Sequence, residues 1–288
     1  MSKIIIVGGA TATGKTQYAL SLAKKLNGEL ISADSMQIYS GLDIGTAKEK
    51  NLDVFQHCID IVDPKSEFSV VDYMKNAELA IKNIQKKGKI PMIVGGTGYY
   101  IHSLLYKFDY ANGETEEYEG NLNKLYEIYE SNGIEILYNK LISLDPISAE
   151  KVHKNNTRRV IKALEYVERV GKSYFSQNLE PEKKILDYAF YYLHSENREE
   201  LYKKIDNRVE KMIKDGLEQE VEELLKSGVS FKMQSMQGIG YKEWNGFFEK
   251  TISLHDVILQ IKKNSRHYAK RQITWFKNQY KDAITIKI

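Results

Sequence analysis

The first apolar run of the chain is short and β-branched. Ile4, Ile5, Ile6 and Val7 follow one another without a polar interruption and stop at Gly8 and Gly9. A run of that length closed by glycines predicts a strand buried on both faces, as in a parallel sheet. The period then changes. Ala19, Leu20, Leu22, Ala23 and Leu26 recur at helical spacing and predict a helix over residues 16–26. A second short strand is predicted over 29–33, delivering Asp34 and Ser35 at its end. A helix over 77–87 follows, with Gly88 as its C-terminal cap. A third strand over 90–94 runs into Gly95-Gly96-Thr97-Gly98. Strand, loop, helix, strand is the rhythm of a parallel α/β sheet. In such sheets ligands bind at the edge formed by the strand C-termini, and all three loops lie there.

Beyond residue 109 the strand pattern is lost. Residues 109–135 hold eight acidic side chains and one lysine, and helical spacing continues to about residue 184. A strand resumes over 188–193, and the chain from residue 198 reads as mostly helical. No internal repeat or low-complexity tract interrupts it.

The loop after the first strand carries Gly9-x-x-x-x-Gly14-Lys15-Thr16, the phosphate-loop pattern. Gly9, Ala10, Thr11, Ala12, Thr13 and Gly14 can turn backbone N–H groups toward phosphate oxygens. The helix behind them adds a favourable dipole, Lys15 a point charge, and Thr16 a hydroxyl suited to Mg²⁺. The predicted fold class is therefore α/β, a P-loop parallel-sheet core with helices on both faces. It is formed by residues 1–108 and 185–288 and carries an α-helical insertion domain over 109–184.

The motif reports a diphosphate or triphosphate without naming its carrier. A P-loop kinase would hold its metal with a second acidic residue at a later strand end. Here the 90–94 strand ends in Gly95-Gly96-Thr97, with no carboxylate. Asp34 is a candidate base or outer metal ligand; as a bland alternative it caps the next turn. Thr97 is a candidate hydroxyl donor or a simple turn residue.

Composition narrows the setting. The 288 residues suit one large domain or two smaller ones, and a net charge of +3 permits a polyanionic partner without requiring one. Cys58 is the only cysteine, which excludes an internal disulfide and fits a reducing compartment. No apolar run is long enough to span a membrane, and residues 4–7 are too few for a signal-peptide core. A cytoplasmic protein is expected. Basic residues, by contrast, are clustered. Residues 151–162 hold five and residues 262–281 hold seven, with no acidic residue in either stretch. Lys151, Lys154, Arg158 and Lys162 fall at near-helical spacing. A solvated helix face explains one such stripe; two favour a nucleic-acid partner. Tyr99-Tyr100 and Tyr191-Tyr192 are expected in or near the core. His57 and His102 lack metal-ligand spacing, and Trp275 with Phe276 is expected to anchor its helix.

Taken in order, these segments resemble the tRNA dimethylallyltransferase (tRNA isopentenyltransferase) family over nearly the whole length. Besides the phosphate loop, the resemblance rests on Asp34-Ser35-Met36-Gln37-Ile38-Tyr39, Asp43-Ile44-Gly45-Thr46-Ala47-Lys48 and Gly95-Gly96-Thr97. It continues through Arg159 with Ala163-Leu164-Glu165, Arg208, Gly238-Ile239-Gly240-Tyr241-Lys242-Glu243, and Ala269-Lys270-Arg271-Gln272 with Thr274-Trp275. Ala10, Thr13 and Glu49 stand where the family usually has Pro, Ser and Pro. The arginine the family often carries near Leu122 is missing, and no zinc-finger pattern follows the core.

The resemblance implies transfer of a dimethylallyl group from dimethylallyl diphosphate to N6 of adenosine 37 beside the tRNA anticodon. It implies Asp34, Thr97 and Arg208 as catalytic residues and residues 9–16 as the diphosphate cradle, with Mg²⁺ on Thr16. Asp34, Ser35, Met36, Gln37, Arg158, Arg159, Lys162, Gln237, Gly238, Gly240, Tyr241 and Lys242 would touch the tRNA anticodon stem-loop. Gln37 could read an adenine edge through paired hydrogen bonds. The acidic stretch would face away from the RNA, and a monomer is expected. Competing readings are a prenyltransferase acting on free adenylate, a P-loop small-molecule kinase, and a non-catalytic RNA-binding P-loop protein.

Overall fold

The structure, a computed structural model, describes residues 4–49, 53–106, 116–175 and 186–288, with side chains of the 116–132 helix described from residue 121. The chain divides into two compact units, Met1–Tyr106 with Lys184–Ile288, and Lys107–Lys183.

In the first unit the β-branched run forms β1 (Ile4–Gly9), buried at every residue. It sits between β4 (Ile90–Gly95) and β5 (Tyr188–His194), with β2 (Gly28–Ser32) next to β4. The outer strands are β3 (Gln56–His57) and β6 (Ile284–Lys287), giving the order β3-β2-β4-β1-β5-β6 with all pairs parallel. Side chains on a strand alternate between faces, so each strand feeds two cores. Ile4, Ile6, Ile31 and Ile93 point toward α2 (Val70–Lys86), α3 (Gly98–Leu105) and α11 (Leu254–Gln279), meeting Tyr73, Ile84, Ile101 and Phe276. Ile5, Val7, Leu30 and Met92 point the other way, onto Ala19, Leu20 and Ala23 of α1 (Lys15–Leu26). Each fully buried aliphatic side chain of this kind contributes about 1.5–3 kcal/mol. Helices thus cover both faces of a parallel sheet, and the fold class expected from the apolar pattern holds.

The helix expected over 77–87 begins earlier. Ser69 and Asp72 form a reciprocal capping box at the start of α2, and the helix ends where Gly88 N–H bonds Gln85 O and Lys89 N–H bonds Ile84 O, a Schellman closure. The C-terminal half of this unit adds α8 (Arg198–Lys214), α9 (Leu217–Lys226) and the short α10 (Asn245–Phe248).

The second unit is helical where it is described: α4 (Glu116–Asn132), α5 (Ile134–Leu144), α6 (Pro146–Lys151) and α7 (Thr157–Val170). Leu125, Leu137, Leu141, Val160, Ile161 and Leu164 make its own core. The N-terminal part of the acidic stretch, residues 109–115, lies outside the described residues.

Candidate active site

The phosphate loop is built as its glycines require. Gly9 has a φ of 152°, and a Cβ there would lie 2.5 Å from Leu193 O; Gly14, at φ 75°, caps α1. Within the loop the Thr13 hydroxyl and the Lys15 ammonium both donate to Ala10 O, at 2.8 and 2.6 Å. The turn after β4 packs against the turn after β2. A Cβ on Gly95 would lie 2.1 Å from Ala33 O, Thr97 N–H donates to Ala33 O, and Ser35 N–H donates to the Thr97 hydroxyl at 3.1 Å. Three strand ends therefore deliver Lys15, Asp34 and Thr97 to one sheet edge.

Two residues of α11 tie these loops together. The buried Gln272 amide accepts from Thr11 N–H at 2.8 Å and donates to Gly96 O at 3.0 Å. One turn earlier, Tyr268 lies near the Thr97 and Gln272 side chains, which lower its phenol, while burial, then the Asp34 charge, pushes it up to about 12. Neither Tyr268 nor Gln272 was assigned a role from sequence. An aromatic residue at helical spacing on a long basic helix gives no local sign that it faces a ligand.

Asp34 has a double placement. Its Oδ1 accepts from Met36 N–H at 2.9 Å and Gln37 N–H at 3.4 Å, capping the next turn. Its charge also acts on Lys15, Arg208 and Tyr268. The capping reading of Asp34 is thus observed, and its charge reaches the neighbouring cations. Lys15 is pushed down to about 7, by burial first and by Arg208 second, with Asp34 opposing. Arg208, from α8, is lowered chiefly by burial, and Asp34 and Glu49 oppose that. Its Nη2 donates to Thr46 O at 3.2 Å.

A cavity of about 310 Å³ is lined by Asp34, Arg208 and Tyr268 of these groups, while Lys15 and Thr97 do not line it. Thr11, Asp34, Ser35, Met36 and Arg208 line one part; Gln237, Gly238, Gly240 and Lys242 line another. Ile205, Val209, Met212 and Ile261 supply an apolar wall, and Tyr268 and Arg271 complete it.

Two expectations for this cavity need correction. Tyr241 does not face it: the side chain is fully buried, its ring lies against Gly45, and its hydroxyl donates to Glu220 at 2.6 Å. Its own burial and its bond to Glu220 make it a support, not an RNA contact. The Gln37 amide is already engaged, accepting from the Ser32 hydroxyl at 3.1 Å and donating to Thr46 O at 3.2 Å. A paired reading of a base edge would require both bonds to be given up. Tyr99 also departs from expectation, being 45% exposed, while Tyr100 is buried against Tyr73. His57 serves structure, meeting buried Glu29 at 2.9 Å. Trp275 packs its indole against Gly98, as an anchor should.

The loop 43–46 is held by a residue the sequence reading missed. Glu220 of α9 accepts from three successive backbone N–H groups, Asp43, Ile44 and Gly45, at 3.0, 2.7 and 3.1 Å. A signal existed: Glu220 lies at i+3 from Leu217 and i+4 precedes Leu224, beside the buried stripe of Leu217, Val221 and Leu224.

In the second unit Lys151, Lys154, Arg158, Arg159 and Lys162 are all solvent-exposed. Lys154 pairs with Glu135 at 2.8 Å. In the α11 stripe Arg266 pairs with Asp206 and Lys262 with Glu210, while Lys270 and Arg271 are exposed. Salt bridges thus remove part of that stripe from use.

For a metal, the donor set is small. Among the described residues no group of three His, Cys, Asp or Glu side chains could hold an ion. Thr16 offers one hard oxygen at the start of α1, which fits an ion held mostly by phosphate oxygens and water.

This loop arrangement narrows the chain to a phosphate-binding fold with an unusual second strand end. A model of the IPP transferase family matches residues 37–279. The chain belongs to that family. A second model, isopentenyl transferase, matches residues 2–57. Among curated relatives, the tRNA dimethylallyltransferase of Caldanaerobacter subterraneus subsp. tengcongensis is 46% identical, over 96% of this chain and 89% of its own length. That of Anoxybacillus flavithermus is 44% identical over 96% and 88%. The tRNA isopentenylpyrophosphate transferase of Bacillus halodurans superposes with a TM-score of 0.73 at 37% identity, covering all of this chain and 90% of that one. A eukaryotic dimethylallyltransferase captured acting on tRNA superposes with a TM-score of 0.82 at 31% identity, over 100% of this chain and 74% of that one. As an IPP transferase family member the chain is a prenyl-transferring enzyme, which removes the non-catalytic reading. Among the described residues no helix is long and apolar enough to cross a membrane.

Proposed function

We propose that this enzyme transfers a dimethylallyl group from dimethylallyl diphosphate to N6 of adenosine 37, beside the anticodon of a tRNA, and releases diphosphate. The observation that carries the reading is the pair of half-buried cations, Lys15 and Arg208: the Arg208 charge lowers Lys15, and one carboxylate, Asp34, acts on both. Two like charges held near one another, with Arg208 lining the cavity, call for a polyanion that binds between them.

The chemistry then divides among these residues. Attack at the primary allylic carbon breaks its bond to the diphosphate oxygen, and negative charge grows on the departing group. Lys15, Arg208, the loop N–H groups and the Thr97 hydroxyl would receive that charge. Mg²⁺ on Thr16 and the diphosphate oxygens would add further neutralisation. The adenine amine is a weak nucleophile because its lone pair is delocalised, so its proton must leave as the bond forms. Asp34 is the base at hand, and its capping bonds hold it in place. The apolar wall of Ile205, Val209, Met212 and Ile261 suits a five-carbon group and excludes water from it.

The acceptor must leave its stack to reach this cavity. Arg158, Arg159 and Lys162 are exposed on α7, and in the other unit Lys242 lines the cavity; each is a cation that would meet RNA phosphates. The relatives named as tRNA enzymes support RNA over free adenylate as the acceptor. The kinase reading loses its footing because β4 ends in Gly95-Gly96-Thr97 with no metal-binding carboxylate. We place the protein in the cytoplasm, acting as a monomer.

The test incubates the protein with dimethylallyl diphosphate, Mg²⁺ and either an anticodon stem-loop RNA or AMP, and weighs each acceptor. One dimethylallyl group gained by the RNA alone is expected. Gain by AMP alone would move the assignment to the adenylate enzymes, and phosphorylation in the presence of ATP would move it to the kinases.

A further inference from the structure

We propose that Glu220 is a positioning residue: it sets Arg208 for the diphosphate by clamping the loop that carries Arg208's backbone acceptor. The inference rests on the diphosphate reading of the site. Glu220 does not line the cavity, and neither does Tyr241. Yet its two carboxylate oxygens collect four donors, the N–H groups of Asp43, Ile44 and Gly45 and the Tyr241 hydroxyl. Three consecutive N–H groups aimed at one carboxylate form an anion-holding nest made from the protein itself. Bonds to an ionised acceptor are about twice as strong as neutral ones. This loop end is therefore pinned.

What the clamp holds is the carbonyl of Thr46. That oxygen receives Arg208 Nη2 at 3.2 Å and Gln37 Nε2 at 3.2 Å. The path between clamp and carbonyl is short and stiff. The Thr46 hydroxyl donates to Leu42 O at 2.5 Å, Ala47 N–H to Ile44 O and Lys48 N–H to Asp43 O, both at 2.9 Å. Gly45 allows the Tyr241 ring to press on the loop, since a Cβ there would lie 2.5 Å from Tyr241 Cζ. The half-buried Arg208 guanidinium, whose charge reaches Lys15, is steadied by the Thr46 carbonyl, and Glu220 fixes where that carbonyl points. Loss of the clamp should let Arg208 swing while every side chain lining the cavity stays chemically unchanged.

The experiment measures binding of inorganic pyrophosphate by calorimetry in the full-length protein and its variants, with thermal melts run alongside. Glu220→Gln is expected to weaken pyrophosphate binding, and Tyr241→Phe to weaken it by less. Misplacing a binding group by about 1 Å can cost on the order of 10²-fold, which sets the ceiling. The decisive comparison is the double variant. Because Glu220 acts through Arg208, Glu220→Gln added to Arg208→Ala should weaken binding no further than Arg208→Ala alone, whereas a generally structural role would add its full loss. Additive losses, or Glu220→Gln and Tyr241→Phe proteins that melt normally and bind like the parent, would overturn the proposal. If Arg208→Ala itself leaves pyrophosphate binding intact, the diphosphate reading of the site fails first, so the two failures are distinct.

Discussion

Raising the pH from 7 to 9 should weaken diphosphate binding, and Lys15 is the reason. Its ammonium is held down to about 7, by burial and then by Arg208. A bound diphosphate adds negative charge beside it and favours the protonated form. Above pH 7 the free site must therefore pick up a proton to bind, and each further pH unit costs about tenfold in affinity, ~1.4 kcal/mol. Over the two units the loss is about 10²-fold. The ligand's own deprotonation works in the opposite sense, making it more negative, so a reference is needed. Lys15→Arg stays charged throughout and supplies it. Its affinity should hold level or rise over the range in which the parent's falls. The assay is titration calorimetry with pyrophosphate in two buffers of different ionisation enthalpy. At pH 8 the parent should take up about 0.9 proton more than Lys15→Arg. A parent affinity that tracks Lys15→Arg from pH 7 to 9 would refute the reasoning, because Lys15 would then be charged before the ligand arrives.

The same geometry gives further expectations. Asp34→Asn should lower kcat by about 10²–10⁴-fold while RNA affinity stays within a few-fold, checked by single-turnover rates and filter binding; an unimpaired rate would end its assignment as base. Gly45→Ala places a Cβ against the Tyr241 ring and should cost about 1–3 kcal/mol, read as a fall in melting temperature together with weaker pyrophosphate binding. Charge reversal at Arg158 and Arg159, both exposed on α7, should weaken stem-loop binding and flatten its salt dependence while leaving pyrophosphate affinity unchanged.

Sequence alone reached those parts of the fold whose burial pattern is local. The run Ile4–Val7 is apolar because β1 is covered on both faces, and the glycines after it mark the loop; both are visible without a structure. The edge strands were not. Gln56–His57 is two residues long and half-buried, and Ile284–Lys287 is exposed on the sheet edge, so neither carries a hydrophobic period. The start of α2 was missed because its first turn is held by the Ser69–Asp72 capping box and not by apolar repetition. The site divides in the same way. Lys15, Asp34 and Thr97 stand at strand ends, where position along the chain predicts position in space. Glu220, Gln272 and Tyr268 reach the site across 160 or more residues of chain, and two of them work through backbone groups. Such pairings depend on packing, and packing leaves no short-range mark. Tyr241 shows the converse error: a residue inside a recognisable motif was given an outward task when its ring is part of the support.

The central claim is that the phosphate loop holds a leaving diphosphate, so that a carbon–oxygen bond breaks and no phosphorus–oxygen bond does. Dimethylallyl diphosphate carrying a heavy-oxygen label at the bridging position tests it directly. After turnover with the stem-loop RNA, the label should be found entirely in the released diphosphate, with unlabelled dimethylallyl on the adenosine amine. Label retained on the allyl group, or phosphate transferred to the RNA, would contradict the account.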